Sequence, residues 1–150
     1  MSISQIGVFV ENHPVHVARV LDAFVEAEVQ VRGYCMSDTG DYGIVRFVVD
    51  NPEKAKQVLA DMGCAVVAKE VLCLRLPDRP GELARIMGVF AKLNINVEYS
   101  YSLVSTYIAI SVKDLAAAEE ALKKETVELI DQAQLTALVD LDRSNAQEGR

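Results

Sequence analysis

The chain has 150 residues, a formal net charge of −7 at pH 7 and 51% hydrophobic residues. The negative charge argues against nucleic acid as a partner, because phosphate backbones attract basic surfaces. No apolar run of about 20 residues and no charged-then-apolar leader occurs, so we expect a cytoplasmic protein without a membrane span or secretion signal. The scattered cysteines, Cys35, Cys64 and Cys73, are expected to be reduced thiols inside apolar segments.

The first part of the chain predicts alternating strands and helices. Strands are expected at 6–10, 29–36, 42–49 and 64–68, and helices at 15–28 and from 52 onward. The turn-rich segment 37–41 joins the second and third strands as a hairpin loop. Pro52 suits the first turn of the second helix, and Gly63 suits its C-terminal stop.

The segment 71–97 carries the clearest local pattern. It predicts a buried strand at 71–76, a turn at 77–81, a helix at 82–93 and the start of another strand. Asp78 stands where an N-cap carboxylate would be useful, and Pro80 suits the first helical turn. Gly81 lacks a Cβ, so a ligand or partner chain could approach its backbone closely.

This pattern repeats an earlier one at a shift of 66 residues. Pro14 falls on Pro80 and Ala18 on Ala84. The apolar stripe of the first helix, Val17, Val20, Leu21, Phe24 and Ala27, falls on Leu83, Ile86, Met87, Phe90 and Leu93. The matched order of elements indicates an internal duplication.

The second copy completes the same plan. Strands are expected at 95–103, 106–112 and 127–130, with a helix at 115–124, and 134–141 is either a short helix or an extended edge segment. The sequence therefore predicts an α+β fold of two ferredoxin-like βαββαβ units, with antiparallel sheets and helices on one face. We expect the units to span 1–69 and 70–142, followed by a disordered tail at 143–150.

Two motifs carry a resemblance to a known family. The run from Leu76 to Leu83, followed by Asn94-Ile95-Asn96-Val97, resembles the ACT domain, a regulatory amino-acid-binding module. The whole layout resembles the free-standing tandem ACT proteins, which have no catalytic domain. The resemblance implies ligand binding where the strand-to-helix turn of one domain faces the second strand of another.

The resemblance also implies which residues bind. On the turn side they are Asp78, Arg79, Pro80, Gly81, Glu82 and Leu83, with Asn96 reaching in from the facing strand; Asn12, His13 and Gln30 stand at the first copy's site. Val15 replaces Gly81 there and would crowd the backbone, so the second turn is the better site. A helix N-terminus favours a carboxylate and Asp78 can take an ammonium group, which suits an amino acid.

Plainer interpretations stand beside these. Asp78 could simply cap the helix, and Asn96 could satisfy strand-end backbone groups. His13 and His16 have no further ligands at metal spacing, so we predict neither a metal nor a cofactor.

The favoured function is a non-enzymatic sensor of a small ligand, an amino acid by resemblance, working as a homodimer or on a partner enzyme. The alternative is a regulatory subunit that grips a metabolic enzyme and binds little or no free ligand. An enzyme is disfavoured, because the sequence shows no Ser/His/Asp or Cys/His set and no phosphate-binding loop.

Overall fold

The computed structural model describes residues 1–11, 14–38, 40 and 42–138. In chain order the elements are β1 (Ile3–Glu11), α1 (Pro14–Glu26), β2 (Val31–Asp38), β3 (Tyr42–Val49), α2 (Pro52–Asp61), β4 (Ala65–Arg75), α3 (Glu82–Lys92), β5 (Val97–Ser102), β6 (Tyr107–Val112) and α4 (Leu115–Leu122). Residues 132–138 are also helical. None of the helices in these ranges combines the length and apolar character needed to cross a membrane.

The strands form one antiparallel sheet in the order β2-β3-β1-β4-β6-β5. β4 serves both halves of the chain. Its first part pairs with β1 up to Val71, and its last part pairs with β6 from Leu72 onward. The same strand therefore completes the first unit and begins the second.

The duplication is visible in the backbone as well as in the sequence. The pairing of β2 with β3 shifts register between Val31 and Gly33, and the pairing of β5 with β6 shifts between Val97 and Tyr99. These positions are 66 residues apart, the shift that aligns the two copies. Each unit therefore carries a bulge at the second position of its second strand.

Side chains separate into three clusters because successive strand residues point to opposite faces. Val45 and Phe47 pack in a cluster with Phe24 of α1, while Ile108 and Ile110 belong to a second cluster that contains Phe90 of α3. The intervening strand residues form a third cluster, which draws on both units: Ile3, Val48, Val71, Cys73, Leu103, Ala109, Ile130 and Leu135. The helices thus cover one face of each half-sheet, and the opposite faces pack together between the units.

This packing brings the two edges of the sheet together. Gly33 of β2 forms an isolated antiparallel bridge with Leu103, the residue after β5. The Val104 N–H donates to the Arg32 carbonyl oxygen at 2.7 Å. The second strand of the first unit therefore lies against the loop that follows β5.

The predicted fold class of two ferredoxin-like units is confirmed, with changes in detail. The strands expected at 64–68 and 71–76 are one continuous strand, because Lys69 and Glu70 stay in register opposite Gln5 and Ser4. The strand expected at 127–130 is reduced to an isolated bridge between Leu74 and Leu129. The expected tail at 143–150 lies outside the described residues.

Candidate ligand-binding cleft of the second unit

A cleft with a volume of about 490 Å³ lies between the turn before α3 and the connection from β5 to β6. It is lined by Leu76, Pro77, Asp78, Arg79, Leu83, Ser102, Leu103, Ser105, Thr106, Tyr107 and Ile108. Three of the predicted ligand-binding residues, Asp78, Arg79 and Leu83, therefore share one cavity.

The turn on one side of the cleft is closed by its own backbone. The Arg79 N–H donates to the Pro77 carbonyl at 2.8 Å, and the Glu82 N–H approaches the Arg79 carbonyl at 3.3 Å. Gly81 is the N-cap of α3, with φ of 88°, and it supplies no side-chain hydrogen bond. A left-handed backbone at this position favours glycine because it places no Cβ in conflict with the chain.

Two expectations for this turn are wrong. Asp78 does not cap α3, because the cap position is Gly81, three residues further along the chain. Pro80 does not lie in the first helical turn, because the helix begins only at Glu82. The left-handed Gly81 turns the chain sharply before the helix, and this separates both side chains from the positions that an ordinary cap would give them.

The start of α3 consequently keeps donors available. The Arg85 N–H bonds the Gly81 carbonyl at 2.9 Å. Within the described ranges, no acceptor pairs with the N–H groups of Leu83 and Ala84. Unpaired N–H groups and the helix dipole together attract an anion.

The charged side chains around the turn have distinct positions. Glu82 is held by Arg85, whose Nη2 and Nε lie 2.9 and 3.2 Å from its Oε2. This hydrogen-bonded arginine lowers the pKa of Glu82, with smaller contributions from the charges of Arg85 and Arg79. The Arg79 side chain is only 3.9 Å from Glu82 yet 71% exposed. Asp78 is also exposed, so the turn presents one carboxylate and one guanidinium group to the cleft.

The opposite wall consists of residues that the sequence did not single out as ligand-binding. The Thr106 carbonyl accepts from the Leu76 N–H at 2.5 Å, and the Tyr107 carbonyl accepts from the Leu103 N–H at 2.9 Å. Ser105 has φ of 65°, which tightens the connection. These bonds place the hydroxyl side chains of Ser102, Ser105 and Thr106 around the cleft. The unusually short connection was the only sequence signal for them.

Leu103 links this cleft to the first unit. It lines the cavity and also bridges Gly33. The second cleft thus lies beside the second strand of another unit, which is the kind of neighbour that the predicted site requires. Gln30 precedes that strand, but its N–H bonds the Asp50 side chain at 2.9 Å and it does not line the cleft.

The other predicted residues lie elsewhere. Asn96 is exposed just before β5, at the opposite end of that strand from Ser102, and it does not line the cleft. Pro80 and Gly81 of the turn and Glu82 at the start of α3 do not belong to the cavity wall. Asn12 and His13 fall outside the described residues. A ligand role for these six residues stays a prediction.

A buried polar network joins the two units behind the cleft. Gln5 is 3% exposed; its Nε2 donates to the Tyr99 hydroxyl, and its Oε1 accepts from the Tyr101 hydroxyl, both at 2.8 Å. The Arg46 guanidinium lies 4.1 Å from the centroid of the Tyr99 ring. Burial opposes ionisation of Tyr99, but bonds from Gln5 and Ser111 and the nearby cations outweigh it and lower its pKa.

One further polar group superficially resembles a catalytic set. Lys69 Nζ lies 2.7 Å from both Ser111 Oγ and Glu98 Oε2. Ser111 is 1% exposed, and an ion-paired lysine is a poor base, so the group joins β4, β5 and β6 rather than forming a nucleophile. Among the residues that the structure describes, no three His, Cys, Asp or Glu side chains are arranged to hold a metal ion.

Comparison with known proteins agrees with this architecture. A family model described as an ACT domain pair matches residues 1–140. A solved protein of Bacteroides thetaiotaomicron is 27% identical, with a TM-score of 0.81 over 87% of this chain and 92% of that chain. The ligand-free regulatory subunit of aspartate kinase from Thermus thermophilus is 20% identical, with a TM-score of 0.59 over 80% of this chain and 87% of that chain. Among curated proteins, none matches the sequence.

Proposed function

Because this chain belongs to the ACT domain pair family, we propose that it is a non-enzymatic regulatory protein that binds a free amino acid in the cleft of the second unit. The single observation that carries the proposal is the uncapped start of α3 beside Asp78 and Arg79. An amino acid presents a carboxylate and an ammonium group a few ångströms apart. The cleft offers partners for both.

The assignment of groups follows from charge. The ligand carboxylate is placed against the N–H groups of Leu83 and Ala84, with the exposed Arg79 guanidinium as a second donor. The ligand ammonium is placed against Asp78, whose carboxylate does not cap the helix. The hydroxyl-rich wall formed by Ser102, Ser105 and Thr106 then meets the ligand side chain, which favours a polar amino acid.

Regulation would follow from where the cleft lies. The wall residue Leu103 also bridges the first unit at Gly33. A ligand that orders this wall stabilises one arrangement of the two units, and any partner surface that depends on this arrangement responds by linkage. The expected responding assemblies are a homodimer of this chain or a complex with a metabolic enzyme.

The proposal is tested by thermal unfolding of the purified protein with each of the twenty amino acids. At 100 times Kd, a ligand adds about 2.7 kcal/mol to the free energy of unfolding, which raises the melting temperature visibly. Asp78→Ala and Gly81→Ala should abolish the response.

Two matched variants separate loss of binding from loss of stability. Asp61→Ala removes an exposed carboxylate on α2, and Gly63→Ala places a side chain on another left-handed glycine, with φ of 75°. Both should keep the full response. A response that survives Asp78→Ala and Gly81→Ala, or no response to any amino acid, would contradict the proposed site.

A second candidate function is supported by the surface of the first unit. Large apolar side chains are exposed on α1 and β2: Leu21, Val25, Tyr34 and Met36, at 39%, 74%, 60% and 58%. Leu21 and Met36 line one cavity, and exposed apolar patches mark contact surfaces. The chain could therefore act as a subunit that grips an enzyme without sensing a free ligand, and co-purification lost in Val25→Ser and Tyr34→Ser would support this role.

A further inference from the structure

The first unit contains a larger cleft, which the proposed function does not use. Its volume is about 550 Å³, and it lies between α1 and the hairpin formed by β2 and β3. The lining residues are Val10, Glu11, Val17, Ala18, Leu21, Met36, Ser37, Asp38, Gly43, Ile44 and Val45. A cavity of this size suits a small organic molecule.

This cleft is the counterpart of the cleft in the second unit. The shift of 66 residues carries Val10, Val17 and Met36 onto Leu76, Leu83 and Ser102, all of which line the other cavity. Both clefts therefore occupy the same place in their units, between the first helix and the end of the hairpin. The duplication produced two cavities, and their linings have since diverged.

The divergence changes the chemistry of the wall. In the second unit the hairpin contributes several hydroxyl groups. In the first unit it contributes Met36, Gly43 and Ile44, with Ser37 as its only hydroxyl residue among the described lining. The helix adds Val17 and Leu21, so the body of the cleft is apolar. The burial of a ligand's hydrocarbon part against such a wall is favourable by about 25 cal/mol for each Å² of apolar surface removed from water.

The start of the helix differs as well. α1 begins at Pro14, so Val15 is already helical, whereas its counterpart Gly81 is a left-handed residue outside α3. The left-handed glycine that opens the second helix therefore has no counterpart in the first, where a branched residue stands in the first helical turn.

Among the described residues that line the first cleft, the charged groups are both acidic. Glu11 ends β1 and is exposed, and Asp38 ends β2, where its Oδ1 accepts from the Gly40 N–H at 2.8 Å. The described lining contains no Arg, Lys or His. Carboxylates at the rim attract a cation and repel an anion.

We propose that the cleft of the first unit is a separate binding site for small apolar amines, ligands with a hydrocarbon body and an ammonium group but no carboxylate. The hydrocarbon packs against Val17, Leu21 and Met36. The ammonium group lies at the rim beside Glu11 and Asp38. Amine binding in the first cleft does not depend on amino-acid binding in the second. An experiment can therefore contradict one proposal and leave the other standing.

The test uses isothermal titration calorimetry of the full chain with isopentylamine and phenethylamine. Isocaproate and hydrocinnamate serve as carboxylate counterparts with similar hydrocarbon bodies. Both amines should bind and saturate, and both carboxylates should bind at least tenfold more weakly. Glu11→Gln should weaken amine binding severalfold, because it removes one of the two rim charges.

Matched variants locate the binding. Ala18→Phe fills the first cleft from an exposed helix position, and Ala84→Phe makes the same change at the equivalent position of α3. Ala18→Phe should abolish amine binding, and Ala84→Phe should leave it unchanged. If Ala18→Phe fails to fold, Met36→Lys places a repelling cation at an exposed wall position, with Ser102→Lys as its counterpart.

Three results would overturn the proposal. The first is the absence of saturable binding by either amine, and the second is equal binding of amines and carboxylates. The third is amine binding that survives both Ala18→Phe and Met36→Lys. Amine binding with the predicted selectivity supports the site even if no amino acid stabilises the protein.

Discussion

Leu103 forms a β-bridge with Gly33 and at the same time lines the cleft of the second unit. A Cβ built on Gly33 would overlap Cδ2 of Leu103 and lie 3.3 Å from its Cα. The two units therefore meet at a position where any side chain larger than that of glycine forces Leu103 to move. The shape of the candidate ligand site depends on this contact.

Gly33→Ala should destabilise the protein by about 1–3 kcal/mol, because the added methyl group overpacks a buried junction. Gly88→Ala is the matched control: an added Cβ at Gly88 meets nothing within 4 Å, and alanine favours the interior of α3 by about 0.5–1 kcal/mol. Urea unfolding of the two variants measures both changes. Equal stability of Gly33→Ala and the parent would show that the junction is looser than described.

Gln5→Leu should also weaken the junction. It removes the acceptor of the Tyr101 hydroxyl and the donor to the Tyr99 hydroxyl, and a buried polar group left unsatisfied costs about 1–3 kcal/mol. Tyr101→Phe in the Gln5→Leu background should cost less than in the parent, because the hydroxyl it removes is already unpaired. Additive losses in this double-mutant cycle would mean that the network is not coupled.

Glu98 should contribute to stability at neutral pH but not in acid. Hydrogen bonds from Lys69 and then Ser111 lower the pKa of Glu98 in the folded protein from its ordinary value of 4.5. A lowered folded pKa means that the stabilisation is present above the ordinary value and is lost as pH falls through the folded pKa. Glu98→Gln should thus destabilise the protein at neutral pH and lose this effect in acid.

Urea unfolding at neutral pH and at a pH below the folded pKa of Glu98 checks this prediction. Glu120→Gln, at a carboxylate that is 71% exposed and paired only with Lys123 in the described chain, should change stability little at either pH. A Glu98→Gln defect of the same size at both pH values would show that ionisation of Glu98 is irrelevant to it.

Cys73 should resist modification in the folded protein. It is fully buried, and burial raises the pKa of its thiol to about 12. Cys35 and Cys64 are partly exposed. Since the thiolate is the reactive form, an alkylating reagent should label Cys35 and Cys64 first and reach Cys73 only after unfolding. Peptide mass spectrometry resolves the three sites, and early labelling of Cys73 would contradict the packing of the junction.

Local patterns in the sequence were enough to predict most of the fold. The apolar stripe of α3 predicted the helix because apolar residues at steps of three and four fall on one face of an α-helix. Asn51 and Asp114, which cap α2 and α4 through their side chains, follow the same kind of local rule. The strand expected at 64–68 continues through Lys69 and Glu70 into the one expected at 71–76. Charged residues are compatible with a strand there because, among the described strands, β4 pairs only with β1 at these two positions.

The candidate site was predicted only on its turn side. Asp78, Arg79 and Leu83 belong to one motif of six residues, so the motif alone brings them together. Ser102 and Thr106 reach the same cavity only through pairing across the sheet, and the short connection between their strands was the only sequence signal for it. Gln30 and Asn96 stand at equivalent positions of the repeat, but repeat equivalence says nothing about which cavity a residue faces.

The most direct measurement is an amide nuclear magnetic resonance titration of the isotope-labelled chain with the amino acid that stabilises it most. The predicted result is saturable shifts at Gly81 to Ala84 and across Ser102 to Tyr107, with smaller shifts at Gly33. Saturable shifts confined to the first unit, or no saturable shift with any amino acid, would contradict amino-acid binding in the second cleft.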